Sequence, residues 1–578
     1  MGGYLSSPKE DGGKGNRIAI LGGAFDPPTA NHLMCAAEVI HSGMADEVWL
    51  MPCGPRPDKP KLSKALDRYI MTQISVSSHF SAEMPIHVSD FEVLREEAMA
   101  TYDLLRLLKE KYPGKLFSFV IGTDWLQPGT DIRAWTSKCP ETGSEIVTGD
   151  KLLDQFDFLV INRPGYDVED LKSFGRRMTF LTMPEGIHLM EGNLSSTEVR
   201  KRTEKSFSEY QSPELIEGLV TPSCLTYVSR SGLYQSSPSK PVRRTNNTSG
   251  NQKRNVAVFG GAFDPPTWSH VTSLAEIVHS GVADEAVMVP CGPRPDKPHL
   301  RSPLVRYTMC QLAVNSSFSH SFPARVSNLE VFEEEALATY DSLCRLRDQD
   351  PDANFMFVIG TDWLQPGADL RSWTSKDPVT GKEIVTGDKL LEEFDFIVVK
   401  RPGYEVEDLK AFGPRMMWMN MPDGMKSTDS NLSSTEVRRR ADLSYRAGEE
   451  KLQLLDGLIP PAVFNYIKRE QIYKPTDLII SGGSWALCAE LDASDVPVRL
   501  RVSTTSVGFG AASRAAAAAA AAAPVLEDPY QVAVEEAEVD EHEADEEVGD
   551  DCDPNVADAR ERLGRVAMLV LGEADPQE

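Results

Sequence analysis

The stretch "GGAFDPPTANH", Gly22 to His32, decides how this chain is interpreted. It follows the apolar run "RIAIL" and precedes an amphipathic segment, a pattern that predicts a buried strand, a tight turn and a helix start. Gly22 and Gly23 allow a phosphate to come close to the backbone, and the free N–H groups of a helix start favour an anion. Thr29 and His32 are three residues apart on one face of that start, where both side chains can bind phosphate oxygens. A capped helix with an exposed histidine is the alternative interpretation.

The same stretch returns as "GGAFDPPTWSH", Gly260 to His270, 238 residues further along the chain. The same interval separates Trp135 from Trp373. A period of this length predicts two copies of a whole domain and not a solenoid. The expected organisation is a disordered N-terminus (1–16), a first copy (17–234), a linker (235–255), a second copy (256–473) and a low-complexity tail (474–578). The tail is alanine-rich and then acidic.

Within each copy, apolar strands alternate with amphipathic helices. In the first copy the strands are "RIAIL", "DEVWLMP", "FSFVIG" and "FDFLVINRPG", and the helix "ANHLMCAAEVIHSG" ends at Gly43. Strands separated by helices predict an α/β fold with a doubly wound parallel sheet, here duplicated in tandem. Ligands of such sheets bind at the carboxyl ends of the strands, which is where the glycine turn lies.

The charge of the chain is negative and unevenly distributed. The 578 residues carry a formal net charge of −27, of which −16 belongs to residues 525–578. Binding to a nucleic-acid backbone needs a basic surface, so nucleic acid is not an expected partner. An anionic substrate must instead be held by cations that are placed locally.

The cysteines and the terminal sequence bear on where the protein works. Nine cysteines without a C-x-x-C pair indicate reduced thiols, and neither a signal peptide nor a membrane-spanning apolar run is found. The expected location is the cytoplasm, with the nucleus as an alternative because the linker carries two basic clusters. The N-terminal "MGGYLS" matches the N-myristoylation pattern, so a weak acyl anchor at Gly2 is a further expectation.

A second repeated stretch, "NLSSTEVR", predicts another helix start at Asn193–Arg200 and again in the second copy. Ser195 and Glu198 fit a capping box. Ser196 and Arg200 are four residues apart and share a face, which adds a hydroxyl and a fixed cation to the helix start. Capping boxes are common, but two helix starts with phosphate-binding chemistry in both copies favour a functional interpretation.

A third repeated stretch is "FVIGTDW", Phe119 to Trp125. An acidic side chain directly after a strand, as at Asp124, suits a ribose hydroxyl or a metal ion. Trp125 and Trp135 can stack on a flat ring, although packing in the core explains a tryptophan as well.

Taken in order, the motifs of each copy resemble one enzyme family. GGxFDPxTxxH, IGTDW, GDKLL, FDF, RPGY, LSSTEVR and, in the first copy, a final YVxxSGLY resemble the nicotinate/nicotinamide-nucleotide adenylyltransferases of the HxGH nucleotidyltransferase superfamily. The resemblance covers nearly all of both copies. It implies a Rossmann-like fold and the transfer of AMP from ATP to nicotinate or nicotinamide mononucleotide, with release of pyrophosphate, in NAD biosynthesis. It also implies ATP and a pyridine mononucleotide as partners and Mg²⁺ as the cofactor that accompanies ATP.

The resemblance implies a set of site residues. The catalytic residues would be His32, His270, Arg200 and Arg438. ATP and its phosphates would be bound by Gly22, Gly23, Phe25, Thr29, Lys59, Asp124, Ser195, Ser196 and Thr197, and in the second copy by Gly260, Gly261, Phe263, Thr267, Lys297, Asp362, Ser433, Ser434 and Thr435. The mononucleotide would be bound by Thr101, Trp135, Thr339 and Trp373. No metal-ligating residue is assigned.

The chain departs from the family pattern in places. Thr29 and Thr267 stand where bacterial members usually carry histidine, and Asn31 and Ser269 stand where they carry glycine. The nicotinamide-nucleotide branch also has T-x-x-H, and the segment 135–149 is longer than usual. Two alternatives follow: a superfamily nucleotidyltransferase with another acceptor, or a nucleotide-binding scaffold in which one or both copies are inactive. An oligomer is compatible with either.

Overall fold

The computed structural model describes most of the two copies and little beyond them. The described residues are 16–127, 129–130, 132–139, 142–187, 194–209, 213–235, 253–294, 296–365, 367, 369–377, 380–425, 432–446 and 454–474, with the backbone of 478–481 and 500–503. The predicted disordered N-terminus with Gly2, most of the linker and nearly all of the tail lie outside them. The chain divides into two units, Met1–Pro475 and Thr476–Glu578, so both copies belong to the first unit.

The first copy alternates strands and helices from end to end. Its strands are β1 Arg17–Gly23, β2 Glu47–Pro52, β3 Ile86–Val88, β4 Leu116–Gly122, β5 Thr136–Lys138, β6 Glu145–Val147, β7 Asp157–Ile161 and β8 Met178–Phe180. Its helices are α1 Ala30–His41, α2 Ala65–His79, α3 Thr101–Lys111, α4 Gly149–Gln155, α5 Ser196–Glu209 and α6 Pro222–Arg230.

Six of these strands form one parallel sheet in the order β3-β2-β1-β4-β7-β8. The order reverses between β1 and β4, and this switch point of a doubly wound sheet opens a crevice at the carboxyl ends of the two strands. β1 ends at Gly23 and β4 ends at Gly122, so the first and third repeated stretches meet there. The predicted α/β fold with a doubly wound parallel sheet is therefore confirmed.

The second copy repeats the architecture. Its strands are β9 Arg254–Gly261, β10 Glu285–Pro290, β11 Ala324–Val326, β12 Ala353–Gly360, β13 Thr374–Lys376, β14 Glu383–Val385, β15 Asp395–Val399 and β16 Met416–Trp418. Its helices are α7 Trp268–His279, α8 Pro303–Ser317, α9 Thr339–Gln349, α10 Gly387–Glu393, α11 Ser434–Arg446 and α12 Pro461–Arg469. The sheet order is β11-β10-β9-β12-β15-β16, again parallel throughout.

The long segment 135–149 of the first copy, and its equivalent 373–387 in the second, each contain a hairpin. β5 and β6 pair antiparallel, as do β13 and β14. Thr148 N and Gly149 N both donate to the carbonyl of Trp135, at 2.9 and 3.1 Å, and so close the hairpin onto the start of α4. A Cβ at Gly149 would stand 2.1 Å from the carbonyl oxygen of Ile132, so only glycine fits at this closure.

One hydrophobic cluster extends across both copies, and each copy has a second cluster of its own. α2 and α8 pack against each other across the boundary, and each is buried on nearly all sides, as is typical of a helix inside a core. Tyr69 of α2 approaches Tyr466 of α12, and Tyr307 of α8 approaches Tyr227 of α6. A continuous cluster of buried side chains therefore runs from one copy into the other.

Two arginines join the copies in a reciprocal way. Arg230 is the last residue of α6 and Arg469 is the last residue of α12. Each donates to the C-terminal end of the helix that faces it, where carbonyl groups are free and a cation is favoured. The acceptors are Val314, Asn315 and Ser319 for Arg230, and Ser77, Phe80 and Ser81 for Arg469. Burial lowers the pKa of Arg230 to about 9 and that of Arg469 to about 10, so both remain charged at neutral pH.

The described part of the second unit is a parallel pair of strands, β17 Leu478–Ser481 and β18 Leu500–Ser503. None of the helices in the described part of the chain combines the length and the apolar character that a membrane crossing requires.

Candidate active site

The loop that joins β1 to α1 lies at the switch point of the sheet. We call residues 24–29 the cradle loop of the first copy, and the equivalent residues 262–267 the cradle loop of the second. Phe25 has a φ of 48°, and the Asp26–Pro27 peptide bond is cis. Gly22 and Gly23 face aromatic rings: a Cβ would stand 3.0 and 3.3 Å from the nearest ring carbon, so glycine gives the room that this turn needs.

Thr29 and His32 form a capping box at the start of α1. The backbone N–H of Thr29 donates to Nδ1 of His32 at 3.0 Å, and Thr29 Oγ1 lies 2.8 Å from the same nitrogen. Because a backbone N–H can only donate, Nδ1 must accept, and the neutral ring carries its proton on Nε2. Thr29 is fully buried, so its hydroxyl holds the histidine and does not face a ligand directly.

His32 is neutral at physiological pH. Burial, followed by the positive charge of Arg163, lowers its pKa from 6.5 to about 4. Protonation of Nδ1 would also place one N–H against the N–H of Thr29. His32 therefore presents an uncharged Nε2–H donor at the helix start.

The start of α5 docks on the cradle loop. Ser196 Oγ donates to the carbonyl of Pro27 at 2.8 Å, and Nη1 of Arg200 donates to the carbonyl of Asp26. Nη2 of Arg200 donates to Thr197 Oγ1 at 3.1 Å. Two helix starts, those of α1 and α5, therefore meet at one loop; the sequence motifs predicted both helix starts but not their contact. The contacts also show that Arg200 and Ser196 bind the loop itself.

Ser195 caps α5, since its Oγ accepts a hydrogen bond from Glu198 N at 3.2 Å. The carboxylate of Glu198 accepts from Arg202 at 2.9 Å, so the glutamate of the predicted capping box lies in an ion pair on the helix surface. The side chain of Arg200 is 29% exposed, so part of its guanidinium still faces solvent beside the loop.

A buried arginine that sequence reasoning missed supports the loop from inside. Arg68 of α2 is 1% exposed and donates to the carbonyls of Ser63, Ala24 and Gly54 at 3.0, 3.0 and 2.8 Å. The buried carboxylate of Glu92 accepts from Gly54 N at 3.1 Å. Together they tie the first residue of the cradle loop to the carboxyl end of β2.

Asp124 lies directly after β4 and faces a second missed arginine. Its Oδ1 is 3.2 Å from Nε of Arg163, which follows β7, and Arg163 N donates to Thr123 Oγ1 at 2.9 Å. Gly122 makes the pair possible, because a Cβ there would stand 2.3 Å from that Oδ1 and 2.6 Å from that Nε. The signal in the sequence was an arginine just past a predicted strand in both copies, within the repeated RPGY motif. Its charge also acts on His32.

Two tryptophans that follow β4 pack against each other, and helix α3 contacts the strand beside them. Trp125 and Trp135 pack edge to face, with ring centroids 5.4 Å apart and an interplanar angle of 85°. Trp125 is 46% exposed, whereas Trp135 is half-buried. α3 begins at Thr101 and packs against β5, the strand that follows Trp135. Ala100 precedes that helix and has no side chain that could cap its first N–H groups.

The predicted phosphate-binding lysines lie further out. Lys59 and Lys297 are exposed, and among the described residues neither side chain has a recorded contact with a cradle loop. The loop that carries Lys59 does start beside the glycine turn, since Cys53 N donates to Gly23 O at 2.9 Å. Across the described residues, no group of three or more His, Cys, Asp or Glu side chains is arranged to hold a metal ion.

The second copy reproduces this geometry. Thr267 N donates to Nδ1 of His270 at 2.9 Å, and burial together with the charge of Arg401 lowers the pKa of His270 to about 4. At the start of α11 the contacts join Ser434 Oγ to Pro265 O (2.8 Å), Arg438 Nη1 to Asp264 O (2.6 Å), Arg438 Nη2 to Thr435 Oγ1 (3.2 Å) and Ser433 Oγ to Glu436 N (3.2 Å). Arg401 Nε lies 3.0 Å from Asp362 Oδ1, and Arg306 Nη1 donates to Ala262 O at 2.9 Å. The ring centroids of Trp363 and Trp373 are 5.7 Å apart. Gly260, Gly261, Phe263 and Thr339 occupy the places of Gly22, Gly23, Phe25 and Thr101.

Comparison with known proteins adds a family to this geometry. The family model described as cytidylyltransferase-like matches the chain twice, over residues 20–202 and 258–440. A protein of Oceanobacillus iheyensis named "Probable nicotinate-nucleotide adenylyltransferase" is 31% identical over 218 residues, which are 38% of this chain and 96% of the relative. The nicotinate-nucleotide adenylyltransferase of Bacillus subtilis is 28% identical over 222 residues, which are 38% of this chain and 99% of the relative.

Among solved structures, the Plasmodium falciparum nicotinic acid mononucleotide adenylyltransferase complexed with NaAD is 26% identical. Its alignment covers 38% of this chain and 97% of that chain, with a TM-score of 0.31. The two matches to the family model each include the glycine turn, the aspartate after the fourth strand and the serine–arginine helix start. The chain therefore belongs to the cytidylyltransferase-like family, and within it to the nicotinate-nucleotide adenylyltransferases, with two copies in tandem.

Proposed function

We propose that each copy transfers AMP from ATP to nicotinate mononucleotide and releases pyrophosphate. The product, nicotinate adenine dinucleotide, is a precursor in NAD biosynthesis. Family membership supports the class of reaction. The observation that carries the proposal is the meeting of two helix starts at one cradle loop, in both copies.

The reaction requires alignment and stabilisation of negative charge and does not require a strong base. An oxygen of the mononucleotide phosphate, already an anion, attacks the α-phosphorus of ATP and forms the new P–O bond. The bond from the α-phosphorus to the oxygen that bridges it to the β-phosphate breaks, and pyrophosphate leaves with that electron pair. Because no proton has to leave the nucleophile, a site made of donors and cations suffices.

The residues around the cradle loop match these requirements. The neutral Nε2–H of His32 is a donor at the start of α1, where the N–H of Ala30 already donates to the carbonyl of Leu219, and the positive end of the α5 dipole lies at the same cradle loop. Arg163 adds a cation close enough to lower the pKa of His32. Arg200 and Ser196 hold the loop to α5, so we assign them to shaping the site as well as to binding phosphate.

The pyridine ring is assigned to the crevice beside Trp135. An edge-to-face pair with Trp125 leaves the rings half-exposed at that edge of the site. The first N–H groups of α3, which begins at Thr101, carry no side-chain cap and favour a carboxylate over a neutral amide. For this reason we expect nicotinate mononucleotide to be the better acceptor, with nicotinamide mononucleotide the weaker one.

Mg²⁺ is expected to arrive with ATP. The carboxylate of Asp124 already faces Arg163, that of Asp26 is fully buried, and the described residues form no cluster of three metal-binding side chains. This donor set fits an ion that is held mainly by substrate phosphates and water, as Mg²⁺ usually is in nucleotide sites. The ion would then reduce the charge repulsion between ATP and the mononucleotide.

The test is an assay of the purified full chain with ATP, Mg²⁺ and each mononucleotide, with the dinucleotide and pyrophosphate measured separately. We expect equal amounts of nicotinate adenine dinucleotide and pyrophosphate, and a lower kcat/KM with nicotinamide mononucleotide. Binding of ATP without any dinucleotide would favour a scaffold. Pyrophosphate release only with a different acceptor would favour another superfamily reaction.

A further inference from the structure

We propose that the last tyrosine of each copy, Tyr234 and Tyr473, is a positioning residue for the cradle loop of its own copy. The proposal rests on the function proposed above and gives a role to a tyrosine that the sequence motifs left without one. Each tyrosine follows the last helix of its copy, far along the sequence from the loop that it contacts.

The contact is a short hydrogen bond to a buried carboxylate. The hydroxyl of Tyr234 donates to Oδ1 of Asp26 at 2.6 Å, and Asp26 has no exposed surface. Its other carboxylate oxygen accepts from Ser63 N at 3.2 Å. In the second copy the hydroxyl of Tyr473 donates to Oδ1 of Asp264, also at 2.6 Å.

Asp26 is the residue on which the parts of the loop converge. Its carbonyl accepts from Arg200, and the next carbonyl, that of Pro27, accepts from Ser196. The carboxylate and the carbonyl of one residue are therefore both held, which fixes the orientation of the peptide that leads to Thr29. Thr29 in turn holds His32.

The backbone of the tyrosines supports a dedicated role. Tyr234 has a φ of 63° and Tyr473 a φ of 68°, in the left-handed region that side chains other than glycine rarely adopt. Such a conformation persists where the surroundings impose it. The three residues before the tyrosine are "SGL" in the first copy and "EQI" in the second, so they differ at every position. The tyrosine, its left-handed backbone and its aspartate acceptor are nevertheless the same in both copies.

Loss of the hydroxyl should act on the reaction through the loop. A buried carboxylate that loses one of its donors must find another partner, so the loop is expected to shift. A small displacement of Thr29 would move the Nε2–H of His32 away from the leaving pyrophosphate, and misplacement of that order is costly in rate. The expected loss is therefore in kcat more than in the KM for ATP.

The experiment uses the full chain with His270→Ala, so that only the first copy turns over. Tyr234→Phe is compared with Tyr227→Phe, a matched control in α6 whose hydroxyl donates to Asp67 Oδ1 at 2.8 Å and not to Asp26. We expect Tyr234→Phe to lower kcat by about 10- to 100-fold with less than about threefold change in the KM for ATP. Tyr227→Phe should stay within about twofold of the parent.

A double-mutant cycle with Asp26→Ala separates positioning from general destabilisation, because alanine removes the acceptor of the tyrosine hydroxyl. If the tyrosine acts through Asp26, adding Tyr234→Phe to Asp26→Ala should cost less than about twofold more in kcat, and this holds even where Tyr234→Phe alone lowers the melting temperature. The proposal would be overturned if the two tyrosine variants lost kcat equally, or if only the KM for ATP changed. It would also be overturned if the kcat losses of the two substitutions simply multiplied in the double variant.

The outcome for the parent chain tests the proposed function separately. If the His270→Ala chain is inactive, the same comparison is made with Tyr473→Phe in the His32→Ala chain. Absence of dinucleotide from both parents would contradict the proposed function, and this inference with it. An active parent that is indifferent to Tyr234→Phe would contradict the inference alone.

Discussion

At the scale of single residues, we expect the chemistry to depend on one hydrogen bond. The N–H of Thr29 fixes the tautomer of His32, and burial with the charge of Arg163 keeps the ring neutral. A threonine at this position is therefore compatible with a working site, because its hydroxyl and its N–H both serve the histidine. The same arrangement occurs at Thr267 and His270.

The titration of His32 should follow from this bond. Because the pKa of His32 is lowered from 6.5 to about 4, the neutral form persists well below the usual range of histidine. We expect NMR of the imidazole to show a neutral ring at pH 6.5 and protonation only as the pH approaches about 4, where it breaks the bond with Thr29. The ring is observed directly because substrate phosphates titrate at about pH 6 and would dominate the pH profile of kcat/KM. Stability should change in the same direction: the unfolded chain takes up the proton first, so stability is lost as the pH falls from 6.5 towards 4. Protonation of the His32 ring near pH 6.5 would contradict this state of the histidine.

The guanidinium of Arg200 should not be replaceable by an ammonium. Two nitrogens of its planar fork donate to the carbonyl of Asp26 and to the hydroxyl of Thr197, and the single ammonium nitrogen of a lysine cannot reproduce this geometry. Arg200→Lys should reduce kcat/KM by the equivalent of about 1.5–3 kcal/mol, measured with the second copy disabled by His270→Ala. Arg202→Lys, which alters only a surface pair with Glu198, is the control. Wild-type kcat/KM in Arg200→Lys would remove the arginine from the site.

At the scale of elements, the site is built where the sheet reverses its strand order. β1 and β4 end side by side, and the starts of α1 and α5 converge on the loop between them. β4 contributes the pair of Asp124 with Arg163, whose distance depends on the absence of a side chain at Gly122.

Glycine at the end of β4 should therefore be required. Gly122→Ala would place a Cβ 2.3 Å from Asp124 Oδ1, so the carboxylate and Arg163 must both move. We expect at least a tenfold loss of kcat/KM in the first copy, roughly the effect of one lost charged hydrogen bond. Gly114→Ala, at the other end of β4 with open space around it, is the matched control and should leave kcat/KM unchanged. Equal behaviour of the two variants would show that the charge pair has no part in the reaction.

How far the sequence predicted these elements depends on the range of each interaction. The strands that become β1, β2, β4 and β7 were predicted because long apolar runs reveal buried strands, whereas β3 and β8 have three residues each and show no periodicity. The two helix starts were predicted from local motifs. Arg68 and Tyr234 were not, because their partners lie at Ala24 and Asp26, far away in sequence, and a local pattern carries no signal for such contacts.

At the scale of the whole molecule, the two copies are one folded body. Helices α2 and α8 form a shared core, and the reciprocal arginines Arg230 and Arg469 cross from one copy to the other. Each copy nevertheless carries its own cradle loop with a full set of contacts. The chain thus joins two candidate sites of the same geometry through a common interior.

The contact between the copies should be visible in the stability of the chain. Arg230 donates to Asn315 and to two carbonyls of the second copy, so Arg230→Ala leaves buried acceptors without a donor. We expect the free energy of unfolding, measured with urea, to fall by about 1–3 kcal/mol, while Arg202→Ala should change it by less than about 0.5 kcal/mol. Two separate unfolding transitions in the wild-type chain would contradict a shared core.

The central claim is that both copies catalyse, and one set of variants tests it most directly. His32→Ala, His270→Ala and the double variant are compared with the full chain in turnover of ATP and nicotinate mononucleotide. Since the two sites are complete and separate, each single variant should keep roughly half of the turnover and the double variant should keep only background. Loss of all turnover in one single variant, with no loss in the other, would show that one cradle loop is silent and would contradict the account.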